Sequence, residues 1–169
     1  HLNFMIGFPM ETMDDIQATL DLANKLSSHE TQINIVTPWP GTELYKYSLE
    51  HNKLDKEIAL EDLDHRKAAG FVNVPFDYKM LNRFSYDTNI SLNFVNNRDL
   101  HDPKNFQRLL QKWKVLESAL PKHAILFICI GYLYRTMGKL KEGDTYYRRA
   151  ADLFNEDDVK SNADVVILG

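Results

Sequence analysis

The side chains able to do chemistry are few and scattered. Cys129 is the one cysteine among 169 residues, which excludes a disulfide framework and a cysteine-ligated metal or cluster held by this chain alone. It sits in an apolar helical stretch and is expected to be a small core residue. There is no Gly-rich phosphate loop, no G-x-S-x-G elbow and no paired-histidine metal spacing. His65, inside Glu61-Asp62-Leu63-Asp64-His65-Arg66, suits a solvated helix face better than a general acid or base. Lys139, Lys141, Arg148 and Arg149 cluster locally, but Glu142, Asp144 and Asp152 dilute them, a pattern of surface solvation. The stronger signals are two loops, Gly7-Phe8-Pro9-Met10-Glu11-Thr12 and Thr37-Pro38-Trp39-Pro40-Gly41-Thr42, each following a short apolar run.

The elements that must position these loops read as a βαβα unit. Leu2-Asn3-Phe4-Met5-Ile6 has the composition of a strand covered on both faces, ended by Gly7 and Pro9. Thr12 with Asp15 resembles a capping box, Asp14 and Asp15 favour the first turn of a helix, and Met13, Ile16, Leu20 and Ala23 recur at helical spacing. A helix is therefore expected over Met13–Leu26. Gln32 to Thr37 forms the next strand, stopped by Pro38 and Pro40, and a helix follows from Gly41-Thr42 to about Asn52. Two strands joined through a helix are expected to be parallel. Such a pair leaves open sheet edges and needs more sheet from elsewhere in a larger protein, or from a second copy. The start at His1, with no methionine, agrees with a piece of something larger.

Further along, Leu60 to Ala69 reads as a polar helix closed by Gly70, Phe71 to Pro75 as a short extended piece, and Tyr78 to Asn97 as partly helical and rich in asparagine. Asp102-Pro103 is a helix start, and three helices follow, to Leu120, over His123–Met137 and over Leu140–Phe154. The chain closes on a polar run and a strand-like Val165-Val166-Ile167-Leu168. Hydrophobic residues make up 44% and the net charge is −4, which fits a globular chain with a real core and argues against unaided nucleic-acid binding. No apolar run approaches a membrane span, and a cytoplasmic location is expected.

In the helical part, Phe127-x-x-Ile130-Gly131-x-x-Tyr134, Gly138, Gly143-x-x-x-Tyr147-x-x-Ala150 and Asn155 resemble the tetratricopeptide pattern, with Pro121 one repeat length upstream. Gly131 and Gly143 would let two helices approach closely. Phe127 replaces the usual Trp and Asn155 the usual Pro, and a plain helical hairpin accounts for the same residues.

The two N-terminal loops, with the strands ahead of them, resemble the back half of a radical S-adenosylmethionine barrel. There the family has a strand ending in G-x-P-G-E-T, then one ending in T-P-Y-P-G-T-x-L-Y. This chain departs at Met10, where Gly is usual, and at Trp39, where Tyr is usual. Asn93 to Asn97 ahead of the helices also looks like the tail of cobalamin-dependent members. The resemblance implies that Met5, Ile6 and Gly7 would line an adenosyl pocket, and that Val36 and Thr37 would offer backbone contacts. Core packing explains Met5 and Ile6 equally well, and a solvated position explains Glu11. The resemblance also implies S-adenosylmethionine and a four-iron cluster in the parent, and the second resemblance, at Asn93 to Asn97, implies cobalamin. The three cysteines of C-x-x-x-C-x-x-C that would hold the cluster are absent here, so the chain alone should be inactive and the missing N-terminal part its partner.

The expected fold class is thus a partial (β/α) barrel segment followed by an all-α tetratricopeptide-like region, α-rich overall. Residues 1–53 carry two βα units, 54–101 connect, 102–157 carry the helices, and 158–169 form the tail. An interaction module built on the helical groove, with the βαβα segment as scaffold, is the alternative reading.

Overall fold

In the computed structural model, described for residues 1–26, 28–55, 57, 63 and 70–155, the first strand is covered on one face only, not on both as its apolar composition suggested, because Asn3 and Met5 are exposed. Leu2, Phe4 and Ile6 of β1 (Leu2–Ile6) turn toward a helix, while Asn3 and Met5 turn the other way. β2 (Thr31–Ile35) lies parallel to β1, with Leu2 opposite Thr31 and Ile6 opposite Ile35. The main chain is cross-bonded at both ends of the pair, Leu2 N to Glu30 O at 2.9 Å and Val36 N to Ile6 O at 2.9 Å. The strand ends two residues earlier than its hydrophobicity suggests, because Val36 and Thr37 already belong to the turn that Pro38 forces. Among the described residues these two strands are the whole sheet.

Helix α1 (Met13–Leu26) joins them and buries Ile16, Leu20 and Ala23 against the strands. Its start is a working capping box: Thr12 N and Oγ1 donate to Asp15 Oδ2 at 2.8 and 2.7 Å, and Asp15 N donates back to Thr12 Oγ1 at 3.3 Å. Those bonds hold the Asp15 carboxyl below the usual carboxylate range. Thr42 caps α2 (Glu43–Glu50), accepting from Tyr45 N at 3.2 Å. Leu54 then pairs with Phe71 in an isolated antiparallel bridge, the start of the short extended piece. The polar helix expected over Leu60–Ala69, His65 and the strand-like Val165–Leu168 lie outside the described residues, Leu63 excepted.

The asparagine-rich stretch is the element that completes this unit. Asp77 caps α3 (Tyr78–Ile90), which passes into one π-helical turn over Ser91–Val95. Leu81 and Leu92 join Ile6, Ile16, Ile33 and Ile35 in a common core. The polar side chains of the same helix serve the sheet edge. Asn89 accepts from Ile33 N at 2.8 Å and donates to Ile33 O at 3.0 Å. Asn93 does the same for Thr31, at 3.0 Å from its N and 2.6 Å from its O, and Ser85 Oγ adds a bond to Ile33 O at 2.9 Å. The match is geometric. Four helical residues rise about 6 Å, and two strand residues span about 6.6 Å. Side-chain amides spaced i, i+4 therefore meet every second residue of β2, as a neighbouring strand would.

The chain divides into two compact units, His1–Asn93 and Phe94–Gly169. In the second, two short 3₁₀ turns, capped by Asn97 and Asp102, lead into α4 (Phe106–Ala119). Phe94 stacks on Trp113 of α4 and lies against His123. His123 is the cap of α5 (Ala124–Thr136), its Nδ1 accepting from Leu126 N at 3.0 Å. Helix α6 (Leu140–Asn155) returns antiparallel to α5, Gly131 facing Gly143 and Phe127 facing Tyr146. A Cβ on Gly131 would meet the Tyr147 ring at 2.8 Å and Gly143 O at 3.1 Å, so the close approach expected of these glycines is real. Glu117 of α4 is bound by Lys114, Arg149 and the Tyr146 hydroxyl, tying α4 to α6. Among the described residues the fold is thus six α-helices and one small parallel sheet. None of these helices is long and apolar enough to cross a membrane.

Candidate functional site at the strand ends

Parallel strands present their ligand sites at their C-terminal ends, where adjacent loops diverge. Here the loops after β1 and β2 leave the same end of the pair, joined by the bond from Val36 N to Ile6 O. The first loop is closed on itself. Gly7 has φ +87°, and a Cβ there would stand 2.6 Å from Leu81 Cδ2, so both conformation and space require glycine. Glu11 Oε2 accepts from Gly7 N at 2.6 Å and Phe8 N at 2.9 Å. Glu11 N donates to Phe8 O at 2.9 Å, which makes Phe8–Glu11 a turn with Pro9 and Met10 at its corner. Glu11 is thus an anchored carboxylate rather than a solvated one. Its signal in the sequence is a carboxylate four residues beyond the glycine that ends a strand.

The second loop is held as firmly. Trp39 N donates to Thr37 O at 3.0 Å, while Thr42 N and Oγ1 both donate to Trp39 O, at 3.2 and 2.7 Å. Pro38 and Pro40 fix the backbone on either side of the tryptophan. Thr37 is only 9% exposed, yet among the described residues its hydroxyl has no hydrogen-bond partner. A buried hydroxyl left unsatisfied is costly and calls for a specific explanation.

The five residues singled out from the sequence divide between the two sheet faces. Ile6, Val36 and Thr37 are buried, and the Ile6 side chain is part of the core against α1. Met5 is 52% exposed on the face away from the helices, so core packing accounts for Ile6 and not for Met5. Gly7, Val36 and Thr37 come together at the strand ends. Cys129 is buried in the second unit, where burial pushes its thiol up to about 12. Among the described residues no group of three His, Cys, Asp or Glu side chains could hold a metal ion.

Over 52 residues, 31% of its length, the chain is 44% identical to an uncharacterized methyltransferase of Pyrococcus horikoshii. It spans 11% of that relative's length. No family model matches the chain. No solved structure matches it either.

Proposed function

We propose that this chain is part of a methyltransferase-like enzyme that uses S-adenosylmethionine, of the radical S-adenosylmethionine kind that its first two loops resemble. The observation carrying this reading is the pair of parallel strands that end together, with the loops that start at Gly7 and Val36 leaving the same end. The identity to a methyltransferase over 52 residues supports the class. Gly7 and the Val36–Thr37 main chain would receive the adenosyl portion, Met5 would face it from the open side of the sheet, and Ile6 would hold the strand to the core. When bound, S-adenosylmethionine supplies a transferable methyl group or a 5′-deoxyadenosyl radical.

The residues of this chain do not fit a four-iron cluster. One buried cysteine with a raised thiol cannot replace three thiolates. Cobalamin would enter only through the resemblance of Asn93 to Asn97 to the cobalamin-dependent members. The cluster ligands would come from the rest of the parent, whose neighbouring strand would pair with β1. Among the described residues that edge is open: Leu2, Phe4 and Ile6 point their main-chain groups at β2, leaving those of Asn3 and Met5 for another strand.

Titration of the 169-residue chain with S-adenosylhomocysteine, followed by amide NMR, tests this reading. Gly7 and Thr37 amides are expected to move while those of α5 stay. Unmoved Gly7 and Thr37 amides at millimolar ligand would sink it. Anaerobic treatment with iron and sulfide is expected to leave the chain colourless, and a four-iron absorbance would contradict the assignment of the cluster to the parent.

A second reading, an interaction module, draws on Ile128 and Tyr132, which stand one turn apart on α5 and are both exposed. Binding of one defined peptide, lost on replacing these two residues with serine, would favour it.

A further inference from the structure

Helix α5 starts on an imidazole, where a hydroxyl or carboxyl oxygen is the usual cap. His123 is 6% exposed, and its Nδ1 accepts from Leu126 N at 3.0 Å, which places the proton of the neutral ring on Nε2. Leu126 is wholly buried, so its N–H has no water to turn to if this bond is lost. The main chain of the turn adds two longer bonds, from His123 N to Leu120 O and from Phe127 N to His123 O, both at 3.3 Å. The imidazole also lies against Phe94, ring centroids 5.3 Å apart, and Phe94 stacks on Trp113 at 5.9 Å. One ring therefore closes the start of α5 and supports an aromatic pair on α4.

A proton on Nδ1 would reverse what this nitrogen does. It turns the acceptor into a donor and orphans Leu126 N–H, and it sets a positive charge at a helix N-terminus, where the dipole opposes it. The face of Phe94 attracts a cation and offsets part of this, but it offers Leu126 N–H no acceptor. No counter-charge is in place among the described residues. Phe94 and Trp113 bring no titratable group, and His123 forms no ion pair. Lys122 beside it and Arg149, over the Phe127 ring one turn along, are of like sign. Glu117 of α4, one turn beyond Trp113, is bound by Lys114, Arg149 and Tyr146. Burial accordingly holds the imidazole below its ordinary value of 6.5.

We propose that His123 is a pH-sensitive latch of the second unit: neutral, it holds the first turn of α5 closed beneath Phe94, and in mild acid it releases that turn. The stabilisation is present above the unfolded imidazole's value of 6.5 and is lost as pH falls below it. Glu117 acts later, since its own loss begins near 4.5. The latch does not depend on the strand ends being a ligand site.

The test follows amide exchange of the full chain from about pH 7.5 to about pH 5, each rate divided by that of an unstructured peptide at the same pH. Protection of the Leu126 amide is expected to fall at least about fivefold, while the Ile33 amide of the first unit keeps its protection. His123→Asn supplies a cap acceptor that does not titrate, and is expected to hold Leu126 protection level across the range. His123→Ala is expected to leave Leu126 weakly protected at both ends.

Level Leu126 protection in the unaltered chain would overturn the latch, as would a pH dependence that persists in His123→Asn. If neither variant folds, the His123 ring proton of the unaltered chain, assigned through its contact with Phe94, decides. A midpoint below 6.5 that moves together with Leu126 protection supports the latch, and one at or above 6.5 overturns it.

Discussion

Replacing Asn89 with alanine removes the inner rung of the side-chain ladder on β2. Two bonds are lost, one to Ile33 N at 2.8 Å and one to Ile33 O at 3.0 Å. Their costs differ. Ile33 O keeps the Ser85 hydroxyl at 2.9 Å, so its desolvation stays largely offset. Among the described residues Ile33 N has no second partner, and Ile33 is buried at 2% exposure. An orphaned buried donor costs about 1–3 kcal/mol, and a shared carbonyl adds about 0.5–1, so the first unit should lose about 1.5–4 kcal/mol. A chain of two units need not unfold in one step, so the readout is local. Hydrogen exchange at the Ile33 amide should accelerate by roughly tenfold to several hundredfold, while amides of α5 exchange as before. Asn89→Asp restores the acceptor and not the donor, and should recover the larger share of the protection. Unchanged exchange at Ile33 in Asn89→Ala, with the helix intact, would refute the claim that an asparagine side chain stands in for a strand.

Gly7→Ala should destabilise the first unit by about 2–4 kcal/mol, combining the cost of a positive φ with the clash on Leu81, as read by urea unfolding of the same amides. For Glu117, burial would raise the carboxyl, but bonds from Lys114, Arg149 and Tyr146 outweigh it and hold it down to about 2. This stabilisation is present above the unfolded carboxyl's value near 4.5 and is lost as pH falls toward 2. The shift corresponds to about 3 kcal/mol, which the exposure of the two cations reduces to about 1–2 kcal/mol. Glu117→Gln should therefore flatten the acid limb of the second unit's stability curve, measured by circular dichroism. Cys129 should resist a disulfide reagent at pH 8 in the folded chain and react completely in denaturant, since burial pushes its thiol up to about 12.

The helices were readable where one face is apolar and a cap is present: α1 runs over the residues its spacing indicates, and Gly131 meets Gly143 as their small size suggests. The asparagine-rich stretch was not readable in the same way. Ser85, Asn89 and Asn93 stand at helical spacing, but their partner is a strand more than 50 residues earlier, and periodicity carries no record of a partner. As a cover on the sheet edge they are required. At the candidate site, the two loops and their order were legible because glycine and proline mark them. That Met5 and Ile6 face opposite ways follows from strand alternation alone. The orphaned Thr37 hydroxyl and the clasp of Glu11 needed coordinates, since a hydroxyl's partner, or the lack of one, is a matter of fractions of an ångström.

The Glu11 clasp also sets a sign on what can approach. Two backbone N–H groups side by side at the end of a strand are the natural seat for a phosphate or a carboxylate. In this chain the seat is taken by the protein's own Glu11 carboxyl, four residues downstream of Gly7. An anionic visitor would find like charge in place of donors. A cation or a neutral molecule would meet no such objection, so charge alone would disfavour anions at this loop.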